Sequence, residues 1–174
     1  MKILIAYGSL GKFFHLEEFS NALKKHNVEV KLVKDVDYSR GFPSKQISDW
    51  FNGDVKFKKL VSEYEPDVIF TDRQTHFALH SINSKIPTFI LLRGHYWQEY
   101  FWGMRTLGNN LKTRLIIWFK NRISERVFNN ARAIFPICKY LEDVVKEHYP
   151  NQNTGVFLEG INSDRWYHTE KMEL

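Results

Sequence analysis

Short apolar runs alternate with stretches of helical period along the whole chain. Lys2–Tyr7 (KILIAY) is an apolar run of strand length, followed by a tight glycine loop, Gly8-Ser9-Leu10-Gly11. Helix-period residues run from 14 to 26, and residues 28–33 (VEVKLV) alternate as a second strand. Strand, glycine loop, helix and strand together open a nucleotide-binding-type α/β unit. The glycines let the backbone turn sharply and approach a ligand, and the helix start behind them offers free N–H groups.

The pattern continues in the same sense. Residues 34–42 read as a polar connector, Pro43 and Ser44 as a helix start, and 45–51 as a short helix ended by Asn52-Gly53. Val55–Tyr64 carries Val55, Phe57, Leu60 and Val61 on one helical stripe, and Glu65-Pro66-Asp67 turns into a short buried strand, Val68–Thr71. A helix over 75–82 leads to the strand Thr88–Leu92 and then to a loop, 93–103. A long helix over 110–129, a fifth strand Ala133–Pro136, a helix over 139–149 and a sixth strand over 154–158 complete the reading. Strand and helix alternating in this way imply a Rossmann-like parallel sheet flanked by helices, an α/β fold. Ligands of such sheets bind beyond the C-terminal ends of the strands. The candidate loops are therefore 8–11, 71–75, 93–99, 137–140 and 159–162. No internal repeat or low-complexity segment interrupts them.

Composition changes this picture modestly. The 174 residues suffice for one domain with a sizeable core. Aromatics are abundant, with 14 Phe, 8 Tyr and 5 Trp, which suits either an aromatic-rich core or a surface facing sugar or lipid. The net charge of +5 suits an anionic partner, and the lack of a long basic run argues against nucleic acid. The single cysteine, Cys138, excludes a disulfide within the chain and fits a reducing, cytoplasmic compartment. No apolar run approaches the length of a membrane span.

Familiar cofactor motifs fail. A dinucleotide fingerprint needs a third glycine and an acid ending the second strand; the loop has Gly8 and Gly11 only, and Asp35 lies near that end without occupying it. A P-loop fails because Ala6 holds the first glycine position and Phe13 the hydroxyl position. His76 and His80 have a metal-ligand spacing but no evident third ligand, so no metal is expected.

Two stretches resemble the retaining glycosyltransferases of family 4, which have the GT-B fold of two Rossmann-like domains. In 10–33 (LGKFFHLEEFSNALKKHNVEVKLV), His15, Leu16, Phe19, Leu23, Val28 and Val30 match the family's helix and strand, with Asn27 where glycine is usual. In 130–166, Ala131, Ile134, Leu141, Tyr149, Gly160, Ile161 and Trp166 match, while Cys138, Glu159 and Asn162 replace the usual serine, asparagine and aspartate. The resemblance implies that 1–158 is an N-terminal, acceptor-side domain and that 159–174 begins an interdomain linker. The C-terminal, donor-binding domain would lie outside this chain. It implies transfer of a sugar from a nucleotide-sugar to an acceptor hydroxyl, sugar or lipid-linked, with retention of configuration. No cofactor or metal is required, and the isolated domain should not turn over. A stand-alone sugar- or nucleotide-binding module, or a partner subunit, is the alternative; a flavodoxin-like or response-regulator-like domain lacks its Ser/Thr-rich loop or acidic cluster here.

The resemblance also assigns residues. Gly8, Gly11 and Lys12 would approach phosphates and acceptor. His95, just beyond the fourth strand, would hydrogen-bond the transferred sugar or the acceptor hydroxyl, with Glu99 orienting it or accepting a hydroxyl proton. Arg93 could hold an acceptor phosphate, and Tyr96 and Trp97 could stack on sugar rings or clamp the loop to the core. Asp72 could bind acceptor hydroxyls or cap the following helix. Finally, 105–127 interleaves Arg105, Lys112, Arg114, Lys120, Arg122 and Arg126 with Leu115-Ile116-Ile117-Trp118-Phe119. That mixture suits either a helix packed on the sheet or peripheral docking on an anionic, cytoplasmic membrane face.

Overall fold

The computed structural model describes residues 1–8, 10–158 and 160 and, for all of these but Leu10 and Lys12, their side chains. Five strands form one sheet: β1 (Lys2–Tyr7), β2 (Glu29–Lys34), β3 (Val68–Thr71), β4 (Thr88–Leu92) and β5 (Ala133–Pro136). Among the described residues, eight helices join and follow them: α1 (Leu10–Lys25), α2 (Asp35–Tyr38), α3 (Ser48–Asn52), α4 (Val55–Tyr64), α5 (His76–Asn83), α6 (Tyr96–Thr106), α7 (Leu111–Asn130) and α8 (Lys139–His148). Every pairing is parallel, as the alternation of periods predicts, and the order is β2-β1-β3-β4-β5.

The strands are apolar on both faces because helices cover both. Ile3, Ile5, Phe70 and Leu91 face the side packed by Leu16 of α1. Their pleat neighbours Leu4, Ala6 and Ile69 meet Phe57 and Leu60 of α4 and Phe77 of α5. Ile90, Leu92 and Ile134 pack with Val127 and Phe128 of α7. The residues 153–157 run beside β5 but form a single parallel bridge, Ile134 with Thr154, instead of the expected sixth strand. The cause is Pro136. Ile134 N–H donates to Asn153 O (2.9 Å) and Phe157 N–H to Pro136 O (2.7 Å). The ladder bond between them requires an N–H that Pro136 lacks.

Other boundaries move for equally local reasons. The expected loop 93–103 is mostly helix, because His95 caps α6 by accepting Gln98 N–H at Nδ1 (3.1 Å). Asn27, which stands where glycine is usual, takes the left-handed conformation (φ 59°). The linker expected over 159–174 lies outside the described residues apart from Gly160. Among the described residues, no helix is long and apolar enough to cross a membrane.

On α5, His80 Nδ1 lies 2.7 Å from Ser39 Oγ, and burial pulls its pKa down to about 4. His76 is lowered in the same direction, again by burial. The unfolded chain protonates the His80 ring near pH 6.5, whereas the folded chain resists until about pH 4. Stability from this ring is therefore complete above pH 6.5 and is lost as pH falls through that window. The loss should be about 2 kcal/mol, allowing for the part of the ring that water reaches. Urea midpoints measured across the window should fall with acid and fall less steeply in His80→Gln; equal slopes would exclude this ring as the titrating group.

Candidate functional site

The order β2-β1-β3 places a topological switch point at the C-terminal ends of β1 and β3, where ligands of open parallel sheets bind. Arg73, two residues past β3, spans this point. Its Nη2 donates to Gly8 O at the end of β1 (3.1 Å) and to Asp35 Oδ2 and Oδ1 at the end of β2 (3.0 and 3.2 Å). Asp35 is only 1% exposed. Its carboxylate also accepts from the Val36 N–H (2.6 Å) and the Thr75 hydroxyl (3.2 Å). One guanidinium thus ties three strand ends. Gly8 makes room for it, since a Cβ there would overlap Arg73 Nε.

This tie forms one wall of a cleft of about 550 Å³ that also reaches loop 39–44, the start of α5 and the inner face of α7. Arg40, Arg73 and Lys120 line it against the single carboxylate Asp35, so the lining is cationic. His76 supplies a fixed neutral ring. Its Nε2 donates to Phe42 O (2.9 Å), and burial, with Lys120 nearby, lowers its pKa. Ser39, Ser44, Thr75 and Ser124 add hydroxyls. The cleft can therefore hold a hydroxyl-rich ligand that carries negative charge.

Tyr96 joins the cleft to the loop beyond β4. It lines the cleft, while its hydroxyl donates to Asn121 Oδ1 (2.9 Å) and burial pushes its pKa up to about 12. Its neighbour His95 uses Nδ1 as the α6 cap, which leaves the proton of the neutral ring on Nε2. His95 is thus set up as a hydrogen-bond donor rather than as a base. Glu99 lies one helical turn on, exposed, with Oε1 close over Gly94: a Cβ on Gly94 would sit 2.6 Å from it. The exposed Tyr140 ring, at the start of α8, lies 5.9 Å from the His95 ring.

The expected site residues are therefore only partly gathered. Gly8 follows β1 directly and His95 caps α6 beyond β4, as read from the sequence; Glu99 lies in the first turn of α6 rather than in a loop, and Arg93 is half-buried at the end of β4. Asp72 is buried beside β1, its N–H donating to Ala6 O (3.2 Å), and it does not cap α5, whose cap position is Thr75. Gly11 lies within α1 rather than in a loop, because the helix begins at Leu10. The Lys12 side chain and the loop 159–162, save Gly160, lie outside the described residues. Trp97 is no free platform: its ring stacks on His148 (4.2 Å, 8°) and on Phe128 (5.4 Å). Tyr96 is likewise clamped, edge-on to Phe128 (5.4 Å). His76 and His80 acquire no third ligand, and no cluster of metal-binding side chains occurs among the described residues.

Sequence reasoning missed Asp35, Arg73, His76 as a cleft wall, Lys120 and Ser124. The signal for Asp35 was present. β2 runs one residue further than the alternation suggests, so Asp35 is the first residue past the strand. No protein-family model matches the chain, and no curated protein matches it at a significant level.

Gly8→Ala should displace the Arg73 guanidinium and strand the Asp35 carboxylate in the interior. Losing one partner of a buried pair costs about 3 kcal/mol. Chemical denaturation should show a loss of that order, and Arg73→Met a similar one. A Gly8→Ala variant as stable as the parent would show that the tie is dispensable.

Proposed function

We propose that this chain is the acceptor-side domain of a retaining glycosyltransferase of GT-B type. The observation that carries the reading is the cation-lined cleft at the sheet's switch point, joined through Tyr96 to His95 and Glu99 at the start of α6. The resemblance to family 4 over 10–33 and 130–166 supports it independently. In this reading the acceptor lies in the cleft with a hydroxyl toward α6. The His95 Nε2–H donates to an oxygen of the transferred sugar. The bond from the acceptor oxygen to the anomeric carbon forms on the same face from which the nucleotide diphosphate leaves, so that configuration is retained, and the hydroxyl proton passes to Glu99. The leaving diphosphate is bound by a second, donor-binding domain, which closes on this one and excludes the water that would otherwise hydrolyse the donor.

The cleft walls come from this chain alone, which favours one other reading: a stand-alone binding module for an anionic sugar or nucleotide. Assay against a panel of nucleotide-sugars separates the two. With its donor-binding domain the protein should transfer sugar, and His95→Ala should lower kcat by about 100-fold or more. Residues 1–174 alone should not turn over. Transfer by 1–174 alone would overturn the acceptor-domain reading, and unchanged kcat in His95→Ala would remove His95 from the chemistry. Binding of a nucleotide-sugar to 1–174 alone, with no transfer in any context, would support the binding module.

A further inference from the structure

The outer face of the first two turns of α7 is apolar where a packed helix should be polar. Leu111, Leu115 and Trp118 follow one another at spacings of four and three residues and all three are exposed, whereas Asn121, Ser124, Val127 and Phe128 further along the helix are buried. Leu111 is 73% exposed and Trp118 44%. Phe101 and Trp102 of α6 and Leu107 in the turn between the helices are exposed as well. A chain of ring contacts carries the surface across to α3: Trp118 to Phe119 (4.8 Å), Phe119 to Phe42 (4.6 Å) and Phe42 to Trp50 (4.7 Å). There Ile47 and Phe51 are exposed too, the latter to 79%. Exposed apolar side chains in this number, joined from Trp118 to Trp50 by ring contacts, mark a docking site.

The charges decide what docks. Helical spacing sets Lys112 and Arg114 on opposite flanks of the Leu111–Leu115–Trp118 stripe, both exposed. Arg105 lies over the Trp102 ring (5.7 Å). From Arg105 to Arg122 the chain has no acid; of its five cations Lys120 lines the cleft and Arg122 pairs with Glu125 (3.0 Å), which leaves Arg105, Lys112 and Arg114 for this surface. The single acid of α3, Asp49, accepts a hydrogen bond from Ser44 Oγ (2.7 Å). A protein interface typically excludes charge from its apolar core. Here cations border the apolar stripe closely, with stems long enough to snorkel, and tryptophans suit the headgroup level.

We propose that the α3 and α6–α7 surface docks on an anionic lipid bilayer. Loop 41–44 belongs to both features: Phe42 is part of the apolar surface, while Gly41, Pro43 and Ser44 line the cleft. Docking therefore brings the cleft mouth to the membrane surface. The inference does not depend on the glycosyltransferase reading.

Sedimentation with vesicles tests it. The protein should bind vesicles of mixed phosphatidylcholine and phosphatidylglycerol about tenfold more tightly than phosphatidylcholine alone, and added salt should weaken that preference. Tryptophan emission should shift to the blue on binding. L111S/L115S/W118S should lose about tenfold or more in vesicle affinity with its circular dichroism unchanged, because all three side chains are exposed. K112E/R114E should remove most of the preference for phosphatidylglycerol. Absence of binding to anionic vesicles at low salt would overturn the proposal, as would equal binding by the triple variant. Concentration-dependent self-association, abolished by the triple variant without any vesicle binding, would instead assign the surface to a protein partner and likewise overturn it.

Discussion

Asp35 is a carboxylate almost fully removed from water, at the end of an edge strand. Such a group is tolerated only when paired and hydrogen-bonded, and here Arg73, Thr75 and the Val36 N–H together supply what water would have supplied. The consequence reaches beyond one ion pair. Arg73 also holds Gly8 O, so β1, β2 and β3 are fixed relative to one another at the edge where a ligand would arrive. The pair contributes little net energy compared with an apolar pairing of the same shape, but it sets the geometry of the opening. Without the guanidinium the cleft would lose both a wall and the charge that offsets its only carboxylate.

Much of the fold was legible because parallel sheets write themselves into the sequence as unbroken apolar runs. β1, β3, β4 and β5 fall where KILIAY, VIFT, TFILL and AIFP stand, since each is covered on both faces. The sixth strand failed on a single proline, whose missing N–H interrupts a ladder that hydrophobic pattern alone would continue. The loop beyond β4 failed in the opposite direction. Its run of aromatics, Tyr96 to Trp102, has modest helix propensity, but the His95 cap and packing of Tyr96 and Trp97 on Phe128 fix it as helix. Tertiary contacts also explain why these two rings, readable as stacking platforms, serve the core.

The site was less legible than the fold because its defining groups are distant in sequence and ordinary by type. Asp35 lies 38 positions from Arg73. Nothing in the local pattern around either residue announces the other; only the crossover of β2 to the far side of β1 brings them together. His76 shows the same limit. Its spacing to His80 suggests a metal, yet each ring is satisfied by a local oxygen, Phe42 O for one and Ser39 Oγ for the other. The two rings shape loop 39–44 as neutral polar anchors. Gly41 belongs to this arrangement, because a Cβ there would overlap the His76 ring.

That loop is where the separate features of the molecule meet. Its inner side closes the cleft, its backbone receives His76, and its Phe42 side chain bridges Trp50 and Phe119 on the outside. The surface that would rest on lipid and the pocket that would hold a charged, hydroxyl-bearing ligand are two sides of the same six residues. On the docking proposed above, an acceptor held in the plane of a bilayer would reach the cleft without crossing bulk solvent, and the exposed tryptophan, lysine and arginine of that face would serve the same contact.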